Sequence, residues 1–195
     1  MQQLEIQKKS PIYINVHDGH HFRDFCRVLY KYFNLYLPLY QEELILVCIG
    51  TDRATGDSLG PLIGYKLKDF NHTNIHVYGT LEKPVHAKNL AETISYIKFR
   101  HPHALIISID ACLGSAENVG CVAIGEGAIK PGAGVKKDLP AVGDLHIIGI
   151  VNLKSPTMNM SVIQTTRLSL VMKMADLISS GIRHCSCLYT YKKKL

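Results

Sequence analysis

Short apolar runs alternate with amphipathic stretches over most of the chain. "LILVCIG" (44–50), "IHVYG" (75–79), "ALIISID" (104–110), "VGCVAIG" (119–125) and "LHIIGIV" (145–151) read as strands. Phe22, Phe25, Cys26, Leu29, Tyr30 and Phe33 recur at helical spacing and give residues 18–36 one apolar face. Residues 59–70 predict a helix starting around "LGP", where proline fits the first turn. Residues 87–100 predict a second core helix, with Leu90, Ile94 and Ile97 on one side. Residues 160–180 predict the last, supported by Val162, Ile163, Leu168, Val171, Met172, Ala175 and Ile178.

Strands alternating with helices imply a parallel sheet covered on both faces. The expected fold class is α/β: a three-layer α/β/α sandwich with a mostly parallel twisted sheet and an added N-terminal helix. The simplest order sets 44–50 beside 104–110, with 75–79 outside 44–50. Ligands of such sheets gather beyond the strand C-termini, where the order reverses. No repeat, low-complexity segment or linker divides the chain. Residues 1–195 read as one domain: an N-terminal extension and helix (1–40), a core (44–181) and a tail (182–195).

That reversal point gives two acids a common address. Asp57, in "GDSLGP", follows the first strand, and Asp110 ends the third. Two neighbouring carboxyls resist joint ionisation, so one holds a proton while the other stays charged. Such a pair activates water and protonates a leaving group, or it binds a divalent metal that activates water instead. The simpler reading makes Asp57 a helix cap and Asp110 a loop hydrogen-bonder. His86, in "EKPVHAKNL", falls on the same rim. It is a candidate for substrate binding, metal ligation or proton carriage, against a plain capping or surface role.

The glycine-rich "GEGAIKPGAGVKK" (125–137) is no Walker A loop, because Ala133 stands where the lysine is required. Gly132, Ala133 and Gly134 are candidates for holding an extended substrate by the backbone. Lys136 is a candidate for an oxyanion or a substrate carboxylate, with a solvated lysine as the plainer alternative. A Cys112–His86 nucleophilic pair ranks below the carboxylates, and Ser58 lacks the G-x-S-x-G elbow. His17, His20 and His21 in "HDGHH" have no partner motif for a dedicated metal site.

Composition narrows the class further. The 47% hydrophobic and 19% charged content fits a soluble globular protein, and no apolar run nears a bilayer span. The N-terminal sequence has no signal-peptide pattern, which points to the cytoplasm. The net charge of +6 would favour nucleic acid or membranes, but Lys192, Lys193 and Lys194 read as a solvated end. No nucleic-acid motif accompanies them. The six cysteines include no C-x-x-C, so a zinc ribbon or thioredoxin site is not expected; Cys48 and Cys121 read as buried, and "CSC" (185–187) as part of the tail.

"GTDRATGDSLGP" and "SIDACLGS" resemble the YyaC-type sporulation proteins, relatives of the germination (spore) protease of endospore-forming bacteria. "GTLEKPVHAKNL", "KPGAGVKKDLPAVGD", "GIVNLKSP" and "QTTRLSLVMKMA" extend the resemblance over roughly residues 44–181. It implies a phosphorylase/hydrolase-like fold, shared with hydrogenase maturation proteases. The spore protease is an aspartic-type endopeptidase acting on small acid-soluble spore proteins. Its aspartates lie in "PDALGP"-like and "IDAL"-like motifs, which carries those roles to Asp57 and Asp110. Its "PGAGV"-like loop matches 131–135.

There are departures. Gly56 and Ser58 replace the proline and alanine around the first aspartate, and "GIVNLKSP" lacks a "PTVV" stretch. The chain is shorter, with no obvious inhibitory propeptide. The later histidine by which maturation proteases engage nickel has no counterpart in "KPGAGVKKDLP", so no metal or cofactor is carried over. The implied function is a sporulation- or germination-associated peptidase acting on a protein or peptide, in mother cell or forespore, with no nucleic-acid or membrane partner. A homo-oligomer stays open. The alternatives are a non-catalytic spore-assembly or regulatory binding protein, and a metal-dependent hydrolase using Asp57, Asp110 and His86.

Overall fold

A computed structural model describes residues 10–70, 74–131, 139–155 and 159–193. In chain order the elements are β1 (Ile12–Asn15), α1 (His21–Tyr36), β2 (Leu44–Cys48), α2 (Leu59–Leu67), β3 (Ile75–Tyr78), α3 (Leu90–Arg100), β4 (Leu105–Gly114), β5 (Cys121–Glu126), β6 (Leu145–Leu153), α4 (Asn159–Gln164) and α5 (Leu168–Lys193). The sheet order is β1-β5-β6-β4-β2-β3. β3, β2, β4 and β6 run parallel, and β5 and β1 are antiparallel to their neighbours.

The strand patterns explain the layers. All five residues of β2 are buried, as a central parallel strand covered on both faces requires. Leu44, Leu46 and Cys48 face one core with Ile107, Ile109, Ile147 and the apolar sides of α1, α2 and α5. Ile45 and Val47 face the other, with Leu90, Ile94 and Ile97 of α3. Helices on both faces of a mostly parallel sheet give the expected three-layer architecture, with β2 between β3 and β4.

Several expectations need correction. The segment before α1 contributes β1, an antiparallel edge strand paired Ile12 to Ile124. The helix expected over 160–180 is two helices, α4 and α5. Thr165 Oγ1 donates to Ser161 O at 2.9 Å and Thr166 Oγ1 to Val162 O at 3.0 Å where α4 ends. Residues 182–193 are not a tail: α5 continues to Lys193. Ile182 and Cys185 are fully buried, and Cys185 Sγ reaches Cys26 O of α1 at 3.5 Å. Two lysines here have partners: Lys193 pairs with Glu42, and Lys192 lies over the Tyr30 ring. Among the described residues, no helix is long and apolar enough to cross a membrane.

Candidate active site

The C-terminal ends of β2 and β4 do not finish level. The β2 ladder ends where Cys48 meets Ile109, so Asp110 is the first β4 residue beyond it, paired only with Ile148 of β6. β4 thereby carries a carboxyl past its neighbour into the crevice above β2. Asp110 is only 9% exposed, and its Oδ1 accepts the Ala111 N–H at 2.8 Å.

The loop after β2 folds back over this point. Gly50 sits at φ +141°, and a Cβ there would fall 2.0 Å from the carbonyl oxygen of Asp57. Only glycine allows the turn and the close approach together. Thr51 N–H then donates to Asp57 O at 3.0 Å, and Gly56–Ser58 form a 3-10 turn leading into α2. At Gly60 a Cβ would lie 2.1 Å from Ile49 O, so α2 rests directly on the chain leaving β2. The cap position of α2 falls to Ser58, whose hydroxyl donates to Thr55 O at 2.6 Å. Asp57 is therefore not the cap of α2, and the Ser58 hydroxyl is engaged.

The segment after β3 closes the third side. Ile49 bridges Val85, and Gly50 N–H donates to Val85 O at 2.8 Å, which sets the next residue, His86, beside the Asp57 loop. His86 Nδ1 accepts the Lys88 N–H at 3.3 Å. That leaves the proton of a neutral ring on Nε2. His86 O accepts the N–H groups of Asn89 and Leu90, so the residue also shapes the start of α3. His86 thus organises the start of α3 through its backbone, and its side chain lies within electrostatic reach of Asp57.

Burial and neighbouring groups shift both carboxyls upward. Burial pushes the Asp110 carboxyl up to about 8, the Ala111 amide opposes this, and the nearby Asp57 charge raises it further. Burial also raises Asp57, partly offset by the Thr51 amide and by His86. Cys112, two residues along β4, is driven up to about 11 by burial and by Asp110. It is a protonated thiol at neutral pH, which weighs against the Cys112–His86 pair. Two carboxyls of different proton affinity in a shielded crevice can divide acid and base roles.

Two features were not anticipated. Asn152 of β6 donates to Val162 O at 3.1 Å and to Thr166 Oγ1 at 3.3 Å, tying α4 to the sheet. A Cβ at Gly56 would lie 2.9 Å from Ile163 O, so α4 also closes over the Asp57 turn. Separately, a surface groove of about 680 Å³ between β3 and α3 reaches Val85, the neighbour of His86. Gly132, Ala133, Gly134 and Lys136 lie outside the described residues.

Comparison with known proteins bears on the fold and the family. The fold is similar to that of the NiFe hydrogenase maturation protease HycI from Thermococcus kodakarensis KOD1, with a TM-score of 0.54 and 15% identity, over 82% of this chain and 98% of that one. At that identity the likeness speaks for the fold. In sequence, the chain is 56% identical over 141 residues to the uncharacterized protein YyaC of Bacillus subtilis (strain 168), spanning 72% of this chain and 68% of the relative. This agrees with the resemblance to YyaC-type proteins. The family described as "Protein of unknown function (DUF1256)" matches residues 13–181, from β1 through much of α5, and the chain belongs to it.

Proposed function

We propose that the protein is a sporulation- or germination-associated peptidase related to the spore protease, using Asp57 and Asp110 as a paired-aspartate site. The carrying observation is the pair itself: two interacting acids beyond adjacent parallel strands, one with its proton affinity raised to about 8. Near neutral pH Asp110 holds its proton. Asp57, more exposed and facing His86, is the better candidate for the ionised partner.

In the proposed reaction Asp57 takes a proton from water as the water oxygen bonds to the peptide carbonyl carbon. The C–N bond breaks as Asp110 delivers its proton to the leaving amine. The carboxyl proton on Asp57 then returns to Asp110 through water, restoring the pair. Net, one peptide and one water give one acid and one amine. General acid–base catalysis of this kind contributes about 10²–10⁴-fold in rate. Small acid-soluble spore proteins are the substrate class that the resemblance suggests.

Two other readings rest on specific observations. Asp110 is 9% exposed, so a substrate carbonyl reaches it only if the crevice opens. A non-catalytic binding protein needs no such opening. A metal-dependent hydrolase would use two carboxylates and His86, a chemically suitable donor set. The donor atoms of those three do not all lie within 4.8 Å of one another. The metal-free pair therefore stands first.

The test is incubation of folded wild type, Asp57→Asn and Asp110→Asn with small acid-soluble spore proteins, with and without chelator, mapping fragments by mass spectrometry. Defined, chelator-insensitive cleavage that falls by about 100-fold or more in each variant supports the reading. Cleavage lost with chelator moves the metal-dependent hydrolase ahead. No cleavage by folded wild type rejects this substrate assignment and favours the binding protein.

A further inference from the structure

At the opposite ends of the parallel strands, three residues far apart in sequence meet. Glu43 immediately precedes β2, His76 lies in β3, and His101 follows the last residue of α3. One ligand atom from each lies within 4.8 Å of the other two. Glu43 Oε1 is 2.7 Å from His101 Nδ1 and 3.1 Å from His76 Nε2. The imidazole rings lie beside each other with centroids 4.4 Å apart.

We propose that Glu43, His76 and His101 bind one divalent transition-metal ion of the zinc or cobalt class. Two imidazoles and a carboxylate suit that class rather than magnesium or calcium, which prefer all-oxygen shells. Tetrahedral bonds of about 2.0–2.1 Å set ligand–ligand separations of about 3.3 Å. The observed 2.7 and 3.1 Å gaps need to open by about 0.6 and 0.2 Å to reach that geometry.

The surroundings match a metal site. Tyr78 Oη lies 3.1 Å from His101 Nε2, the ring nitrogen facing away from the cluster. With Nδ1 on the metal, Nε2–H donates to this hydroxyl, a second contact of the kind that orients a ligating imidazole. The side chains of Glu43, His76 and His101 are 29%, 38% and 10% exposed, so an ion enters from solvent without unfolding. Three protein ligands leave a fourth position for water. A bound ion ties the beginning of β2, the edge strand β3 and the end of α3 together. The site is separate from the Asp57–Asp110 crevice and does not depend on its proposed activity.

The test uses full-length protein dialysed against chelator and titrated with Co²⁺, read by its visible absorption, then competed with Zn²⁺. Wild type takes up one equivalent and its thermal midpoint rises. His76→Ala and His101→Ala each weaken binding at least tenfold, and Tyr78→Phe weakens it about 10- to 100-fold. Should an alanine variant fail to fold, Tyr78→Phe and His76→Gln carry the comparison. A His20→Ala, His21→Ala double variant and Asp57→Asn bind as wild type. Absence of binding by folded wild type overturns the proposal. So does binding unaltered in the cluster variants, or binding lost only in the His20, His21 double variant.

Discussion

Replacing Asp110 by asparagine removes a buried proton-binding group while keeping its size. Burial is the main cause holding this carboxyl up to about 8 in the folded protein. An aspartate in the unfolded chain titrates near 3.9. Between those values the folded state keeps a proton that the unfolded chain has released, so stability falls as pH rises. The contribution is fully present below about pH 4 and is lost by the time pH passes about 8. Each unit of pKa difference corresponds to about 1.36 kcal/mol, so the full swing is roughly 6 kcal/mol. Between about pH 5 and about pH 7 the expected loss is roughly 3 kcal/mol, or about 5–10 °C in melting temperature at this chain length. The decisive quantity is the difference between wild type and Asp110→Asn. Urea unfolding at matched pH values measures it. The variant gains on wild type steadily as pH rises over that interval. Parallel stability curves for the two proteins would refute the burial argument and place an ionised Asp110 in the folded state at neutral pH.

Further outcomes follow from the same structure. Gly50→Ala puts a side chain at φ +141° and against Asp57 O, and should cost on the order of 3 kcal/mol or more by denaturant unfolding. Ile182→Ala should cost about 2–4 kcal/mol, while Tyr191→Ala, on the exposed end of the same helix, should stay within about 0.5 kcal/mol. Equal, small effects would contradict the docking of α5. Cys112, held up to about 11, is about one part in a thousand thiolate at pH 8. In native protein iodoacetamide should therefore modify exposed Cys187 well before Cys112, as peptide mapping would show.

How much of this was legible in the sequence depends on what each element needs from distant residues. The central strands announced themselves because both faces are covered, so their residues are apolar almost without interruption. β1 did not, because an edge strand is half solvent: Ile12 and Tyr13 are 45% and 50% exposed. The last turns of α5 read as a tail because serine, cysteine and lysine interrupt the apolar pattern. Yet Cys185 and Ser186 are small enough to be buried, Cys185 against α1. Asp57, Asp110 and His86 could be placed together because each follows or extends a parallel strand on the same side of the sheet. Glu43, His76 and His101 carry no spacing signal, since they meet only through the lateral order of β2, β3 and α3.

The most direct measurement of the carboxyl pair is a site-resolved ¹³C NMR titration of the aspartate side chains, in wild type and in Asp57→Asn. Asp110 is expected to titrate near 8 in wild type, with a midpoint that drops when the Asp57 charge is removed. An Asp110 already ionised in mildly acidic solution, or one indifferent to Asp57→Asn, would contradict the pair.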